Sequence, residues 1–177
     1  MKVLIITQAR IGSSRLPNKV LMKIGNDTML GLHLKRLANS KNAYKVLVAT
    51  TKEDGVSKII EIAKNLNIDV FQGSTNDVLD RFYNAANQYR PDYVVRVTSD
   101  CPLIDPELID EVINKTILKK VDYCSNIITE DFPDGQDVEV FKFKALQKAW
   151  SNAVLKSDRE HVTSFIRNNS ENKGNRM

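Results

Sequence analysis

The stretch Lys2-Val-Leu-Ile-Ile-Thr-Gln-Ala-Arg-Ile-Gly-Ser-Ser-Arg-Leu-Pro-Asn-Lys19 decides the fold. Its opening, Lys2 to Thr7, is a short continuous apolar run, the pattern of a strand covered on both faces of a parallel sheet. The remainder, Gln8 to Lys19, is a polar loop holding Gly12, Ser13, Ser14 and Pro17. A buried strand that runs straight into a Gly/Ser loop places that loop at the sheet's carboxyl edge, where open α/β sheets bind ligands.

Reading outward, strands and helices alternate. Leu30, Leu34 and Leu37 share one face of a helix expected over Thr28–Ala38, and Lys45–Thr50 reads as the second strand. Val56, Ile59, Ile60, Ala63 and Leu66 recur at helical spacing, and a third strand is expected over Ile68–Phe71. Asn76 can cap the next helix, which faces Val78, Leu79, Phe82, Ala85, Ala86 and Tyr89 inward. Tyr93–Val97 is the fourth strand, and Pro106 opens a helix whose stripe is Leu108, Ile109, Val112 and Ile113. These repeated β-α units predict an α/β fold with a mostly parallel sheet and helices on both faces.

Beyond about residue 120 the rhythm changes. Val121–Ile127 and Asp137–Phe143 read as strands around a turn-rich segment, followed by a helix over Lys144–Ala153. Ser157-Asp-Arg-Glu160 has the form of a capping box opening a last helix that reaches about Asn168. Residues 1–168 therefore read as one domain, and the polar residues 169–177 as a flexible tail.

Composition narrows the class. The chain has 177 residues, of which 42% are hydrophobic and 27% charged, with a formal charge of +4. That suits a single globular domain with a self-sufficient core and excludes a disordered chain. No apolar run approaches the ~18 residues of a membrane span, and the opening strand is too short for a signal peptide, so a cytoplasmic protein with no membrane partner is expected. Cys101, Cys124, His33 and His161 have no zinc-type spacing, and both thiols are expected to be free. The basic residues do not form the broad stripe with aromatic platforms that single-stranded nucleic acid requires, so no nucleic-acid partner is expected.

The first loop instead concentrates Arg10, Arg15 and Lys19 beside Gly12, Ser13 and Ser14. Fixed cations and backbone donors in this arrangement suit a triphosphate, although spacing alone does not exclude an exposed basic turn. The spacing is neither a Walker A nor a GxGxxG motif. The fourth strand runs into Thr98-Ser-Asp-Cys-Pro-Leu103, which puts Asp100 at the same edge. One or two carboxylates plus phosphate oxygens are what Mg²⁺ takes, so Asp100 opposite the cationic loop reads as a metal–nucleotide site.

The two motifs together resemble a known family. Ala9-Arg-x-Gly-Ser-x-Arg-Leu-Pro-x-Lys19 followed by Arg96-Val-Thr-Ser-Asp-Cys-Pro-Leu-Ile-Asp105 is similar to the cytidylyltransferases that activate sugar acids. These are the acylneuraminate and 3-deoxy-manno-octulosonate enzymes, with the spore-coat-polysaccharide branch as the best match. Gly73-Ser-x-x-Asp-Val-Leu-Asp-Arg81, Asp134-Gly-Gln-Asp-Val-Glu-Val-Phe141 and Arg159-Glu-His-Val-Thr163 fit that branch too.

The resemblance implies a Rossmann-like three-layer αβα nucleotide-diphospho-sugar-transferase fold, a homodimer, and transfer of CMP from CTP to a sugar acid with Mg²⁺. It implies that Arg15, Lys19 and Asp100 are catalytic. Gln8, Ala9, Arg10, Gly12, Ser13, Ser14, Asp77, Arg81 and Ser99 would hold the nucleotide. Asp137, Glu139 and His161 would face the acceptor, and Asp100 with Asp137 would bind the metal. Members usually continue into a Val-Asp-x-x-x-Asp-like segment, which nothing after Asn169 matches. An inactive or truncated nucleotide-binding homologue, or a transferase with another nucleotide or acceptor, is the alternative. His33 lies on an amphipathic helix and reads as structural, as does Trp150.

Overall fold

A computed structural model describes residues 1–12, 16–127 and 132–170, and the backbone of 173–175. The elements are β1 (Val3–Gln8), a 3₁₀ turn (Lys19–Leu21), β2 (Lys23–Ile24), β3 (Asp27–Thr28), α1 (Met29–Leu37), β4 (Lys45–Thr50), α2 (Ser57–Asn65) and β5 (Asp69–Gln72). They continue with α3 (Val78–Asn87), β6 (Tyr93–Thr98), α4 (Pro106–Lys119), β7 (Tyr123–Ser125), β8 (Glu139–Lys142), α5 (Phe143–Asn152), α6 (Lys156–His161), α7 (Ser164–Asn169) and β9 (Lys173–Asn175).

The main sheet runs β5-β4-β1-β6-β8-β7-β9. Its first four strands are parallel, as the β-α rhythm predicts. β8 enters antiparallel to both β6 and β7, because the change of rhythm near residue 120 replaces a crossover helix with a direct return.

Side chains alternate across the sheet and build two cores. Val3, Ile5, Val95 and Val97 face α1, α2 and α4. Leu4, Ile6, Val94, Tyr123 and Phe141 face α3, α5 and α7. This is the expected three-layer αβα architecture. The strand alternation then puts Gln8, Arg96 and Thr98 on the α3 side at the carboxyl edge, one step beyond the last apolar layer.

Local structure departs from the sequence reading in five places. The cap of α3 is Asp77, whose carboxylate accepts from the Asp80 amide at 2.8 Å; it is not Asn76. The last helix is split: α6 ends at His161, and Val162 adopts φ 59° and ψ −57° with the Thr163 amide bonded back to the His161 carbonyl. Ser157 lies inside α6 and caps nothing, so the capping box does not form. Lys173–Asn175 pairs in parallel with β7 where a flexible tail is expected. Backbone hydrogen bonding to a sheet edge needs no apolar pattern, so composition could not show it. The short β2–β3 hairpin, reversing at Gly25 (φ 62°), was also not expected.

Candidate active site

At the carboxyl edge, on the α3 side, lies a cleft of about 580 Å³ lined by residues of β1, β6, α3, α6 and the loops between them. Of the residues singled out from the motifs, Gln8, Ala9, Arg10, Lys19, Arg81, Ser99, Asp100 and His161 line it. Arg10, Lys19, Arg81 and Lys156 bring positive charge, against Asp100 and Glu160, while the charge of Arg96 is offset by Glu139. A low-dielectric wall lined mostly by one sign of charge draws in an anionic ligand.

The two decisive motifs meet. Lys19 Nζ donates to Asp100 Oδ2 at 3.1 Å. Burial works against the charge of Asp100, but the bonds from Lys19 and the Thr98 hydroxyl hold its carboxyl below the usual range. Asp100 is therefore ionised at neutral pH. The turn behind it is fixed from below: His33, fully buried in α1, bonds the Cys101 carbonyl through Nδ1 at 2.9 Å and the Thr7 hydroxyl through Nε2 at 3.0 Å. Burial pushes His33 down to about 4, so it is the neutral imidazole. With Nδ1 donating to the carbonyl, Nε2 accepts from Thr7.

The amides at the head of the loop already hold an anion. Glu53 Oε1 accepts from the Ile11 amide at 3.1 Å and the Gly12 amide at 3.2 Å. A Cβ on Gly12 would stand 3.2 Å from that carboxylate. Ser13, Ser14 and Arg15 lie outside the described residues.

Arg81 is 2% exposed and donates through Nη1 to the Ser74 carbonyl, while its Nε has no partner among the described residues. Gly73 makes room for it, because a Cβ there would meet Arg81 Cγ at 2.8 Å. Asp77 is spent elsewhere. Besides capping α3, it accepts from Arg159 Nε at 2.8 Å and Nη2 at 2.6 Å, tying α6 to α3. Glu139 is likewise engaged: it is 2% exposed, pairs with Arg96 Nη1 at 2.5 Å and accepts from the Tyr123 hydroxyl at 2.7 Å. Asp137 is exposed, and partial burial with Asp134, Glu139 and Asp100 nearby raises its carboxyl, against the pull of Arg96.

The profile of the cytidylyltransferase family matches residues 4–175. The chain belongs to that family. Among solved structures, a cytidylyltransferase from Leptospira borgpetersenii superposes with a TM-score of 0.91 at 39% identity, covering 96% of this chain and 72% of that one. Among relatives, the spore coat polysaccharide biosynthesis protein SpsF of Bacillus subtilis is 29% identical over 94% of this chain and 70% of its own. The 3-deoxy-manno-octulosonate cytidylyltransferase of Chlorobium phaeovibrioides is 28% identical over 96% of this chain and 68% of its own.

As a cytidylyltransferase the chain is a CTP-dependent nucleotidyltransferase. No helix among the described residues is long and apolar enough to cross a membrane. Sequence reasoning gave no role to four residues in or around the cleft of this cytidylyltransferase: Glu53, His33 as a brace, Arg96 and Arg159. A signal existed for two. Glu53 follows a parallel strand at the ligand edge, and Arg96 is a charge inside the apolar strand Tyr93-Val-Val-Arg-Val97. The partners of His33 and Arg159 lie 68 and 82 residues away, beyond any local pattern.

Proposed function

We propose that this protein transfers CMP from CTP to a sugar acid of the 3-deoxy-octulosonate or nonulosonate type and releases pyrophosphate, in the cytoplasm and for surface glycan synthesis. The observation that carries the reading is the Lys19–Asp100 pair at the mouth of a cationic cleft, in a chain of this family. The names of the two relatives, a polysaccharide protein and an octulosonate enzyme, support the acceptor class. Both cysteines are free thiols, in keeping with a reducing compartment.

Mg²⁺ is the proposed metal. Among the described residues no cluster of three or more His, Cys, Asp or Glu side chains could hold an ion alone. The donor set instead suits Mg²⁺, which takes one or two carboxylates and completes its shell with phosphate oxygens and water. Asp100, with Asp137, would hold it, and the like-charge crowding that raises Asp137 is what a cation relieves. Bound there, the ion would offset charge on the phosphates.

In the proposed reaction a sugar hydroxyl attacks the α-phosphorus and gives up its proton to solvent. The new O–P bond forms as the bond to the α,β-bridging oxygen breaks. Arg10, Lys19 and Arg15 bind the triphosphate, and Lys19 and Arg15 oppose the charge that builds on the leaving pyrophosphate. Positioning and electrostatics supply the rate, and no covalent nucleophile is needed. The buried Arg81, whose Nε has no partner among the described residues, belongs to the nucleotide side. His161, exposed on the cleft wall, faces the acceptor. A homodimer, as the family resemblance implies, completes the proposal.

The test is pyrophosphate release from each of the four NTPs against a panel of 2-keto sugar acids. Release with CTP and one acid alone is expected. CTP binding without release for any acid would favour the inactive homologue.

A further inference from the structure

Arg96 is an anomaly of the sheet. It sits within an apolar strand, two residues below Thr98 on the same face, and opposite Glu139 in the β6–β8 register. It is half-buried on the cleft floor and lines the cleft. Glu139 accepts from its Nη1 and is itself held by the Tyr123 hydroxyl, so the guanidinium is locked in place. Its Nε is buried and has no partner among the described residues. A second orphan lies on the same floor: Gln8 Oε1, buried and without a partner among the described residues, on the residue that registers with Thr98. Buried polar atoms of this kind are nearly always satisfied in a working state, so a ligand group is the natural partner for both.

The chemistry of that group follows from the charges around it. Arg96 is already offset by Glu139, and Asp137 also feels its field. A triphosphate, with about four negative charges, gains little at such a nearly neutral spot. A planar monoanion matches it well, because a guanidinium edge presents parallel N–H donors to a carboxylate. The position agrees: β6 lies on the β8 side of β1, away from β5 and the helix α3 that follows it and carries Arg81. We infer that Arg96, locked by Glu139 and Tyr123, binds the carboxylate of the acceptor and makes the enzyme specific for sugar acids. Gln8 Oε1 is then placed to accept from an acceptor hydroxyl. Glu139 thereby becomes a positioning residue that does not itself touch the acceptor.

This inference rests on the acceptor being a sugar acid, so the experiment separates the two. Turnover with CTP is measured for 3-deoxy-manno-octulosonate, for the other acids of the panel, and for the C1 carboxamide of whichever acid is consumed. The proteins are wild type, Arg96→Gln, Glu139→Gln and the double variant. The double variant removes both charges of the buried pair and leaves neither unpaired. Binding of a non-hydrolysable CTP analogue reports on fold and nucleotide site.

Wild type is expected to prefer acid over amide by about 30-fold, the scale of one charge-assisted contact. That preference should vanish in Arg96→Gln and in the double variant, with analogue affinity within about twofold of wild type. Glu139→Gln should raise KM for the acid more than it lowers kcat. If the acid:amide ratio survives in Arg96→Gln, the inference is overturned while the function stands. Weakened analogue binding with an unchanged ratio would assign Arg96 to the triphosphate and also overturn it. If wild type consumes no acid with CTP, the functional reading falls and this inference falls with it.

Discussion

His33 Nδ1 stands 2.9 Å from the carbonyl oxygen of Cys101, the residue that follows Asp100. A buried imidazole on α1 thus sets the turn that presents the candidate metal ligand. Its protonation is linked to folding. The unfolded imidazole takes up a proton near pH 6.5, but the folded one only near 4. Between those values the unfolded state binds the extra proton, so stability falls as pH drops through that window. The full loss is about 3 kcal/mol. Urea denaturation at pH 7 and pH 4.5 should show wild type losing more stability than His33→Gln. Equal losses in the two proteins would mean His33 is not the titrating group.

Lys19 and Asp100 form an ion pair at 3.1 Å in the cleft, and the proposed function puts the nucleotide there. Asp100→Asn frees the lysine and removes an anion from the proposed phosphate site. Calorimetry in EDTA should then show metal-free CTP binding several-fold more tightly than to wild type, as expected for a gain of about 1 kcal/mol. Added Mg²⁺ should bring no further gain. A metal increment equal to that of wild type would remove Asp100 from the metal site.

The fold was largely legible because buried parallel strands and amphipathic helices announce themselves by period. Lys45–Thr50 matches its strand residue for residue, and the Leu30, Leu34 and Leu37 stripe lies fully buried. The cleft's basic loop and Asp100 were legible from the ligand-edge rule. Partner choice was not. Asp77 and Glu139 read as free acids in a motif, but each is consumed by an arginine on another element, Arg159 and Arg96. Such pairings depend on which elements the sheet order brings together, and a one-dimensional pattern carries no record of that.

Glu53 occupies amides that an anion could use. Gly12, Thr51, Ile11 and Arg10 together outweigh its partial burial and hold its carboxyl below the usual range. Glu53→Gln keeps an acceptor for the two amides while removing a negative charge near Arg10. It should melt like wild type and bind metal-free CTP more tightly. Glu53→Ala leaves both amides without their partner and should lose about 1–2 kcal/mol of stability. Scanning calorimetry and CTP titration check both. Weaker CTP binding by Glu53→Gln would show that the carboxylate helps to shape the nucleotide site.

Arg159 clamps three elements at once. Nε and Nη2 bond Asp77 at the N-terminus of α3, and Nη1 bonds the Trp150 carbonyl at 2.9 Å near the end of α5. This clamp seats α6, a two-turn helix with no buried residue of its own, over the cleft. α6 contributes Lys156, Glu160 and His161 to the cleft wall. With no buried residue of its own, α6 is seated by this clamp together with the buried Ala153 and Val162 that flank it. Arg159→Ala should lower stability by about 1–3 kcal/mol, a modest loss because the pair is partly solvated. The larger effect belongs to the wall: KM for the acceptor should rise several-fold while the CTP analogue still binds. Arg159→Lys keeps the charge but cannot span Asp77 and Trp150 together, so it should recover stability better than KM. If Arg159→Lys restores both equally, charge alone seats α6 and the fork geometry is irrelevant.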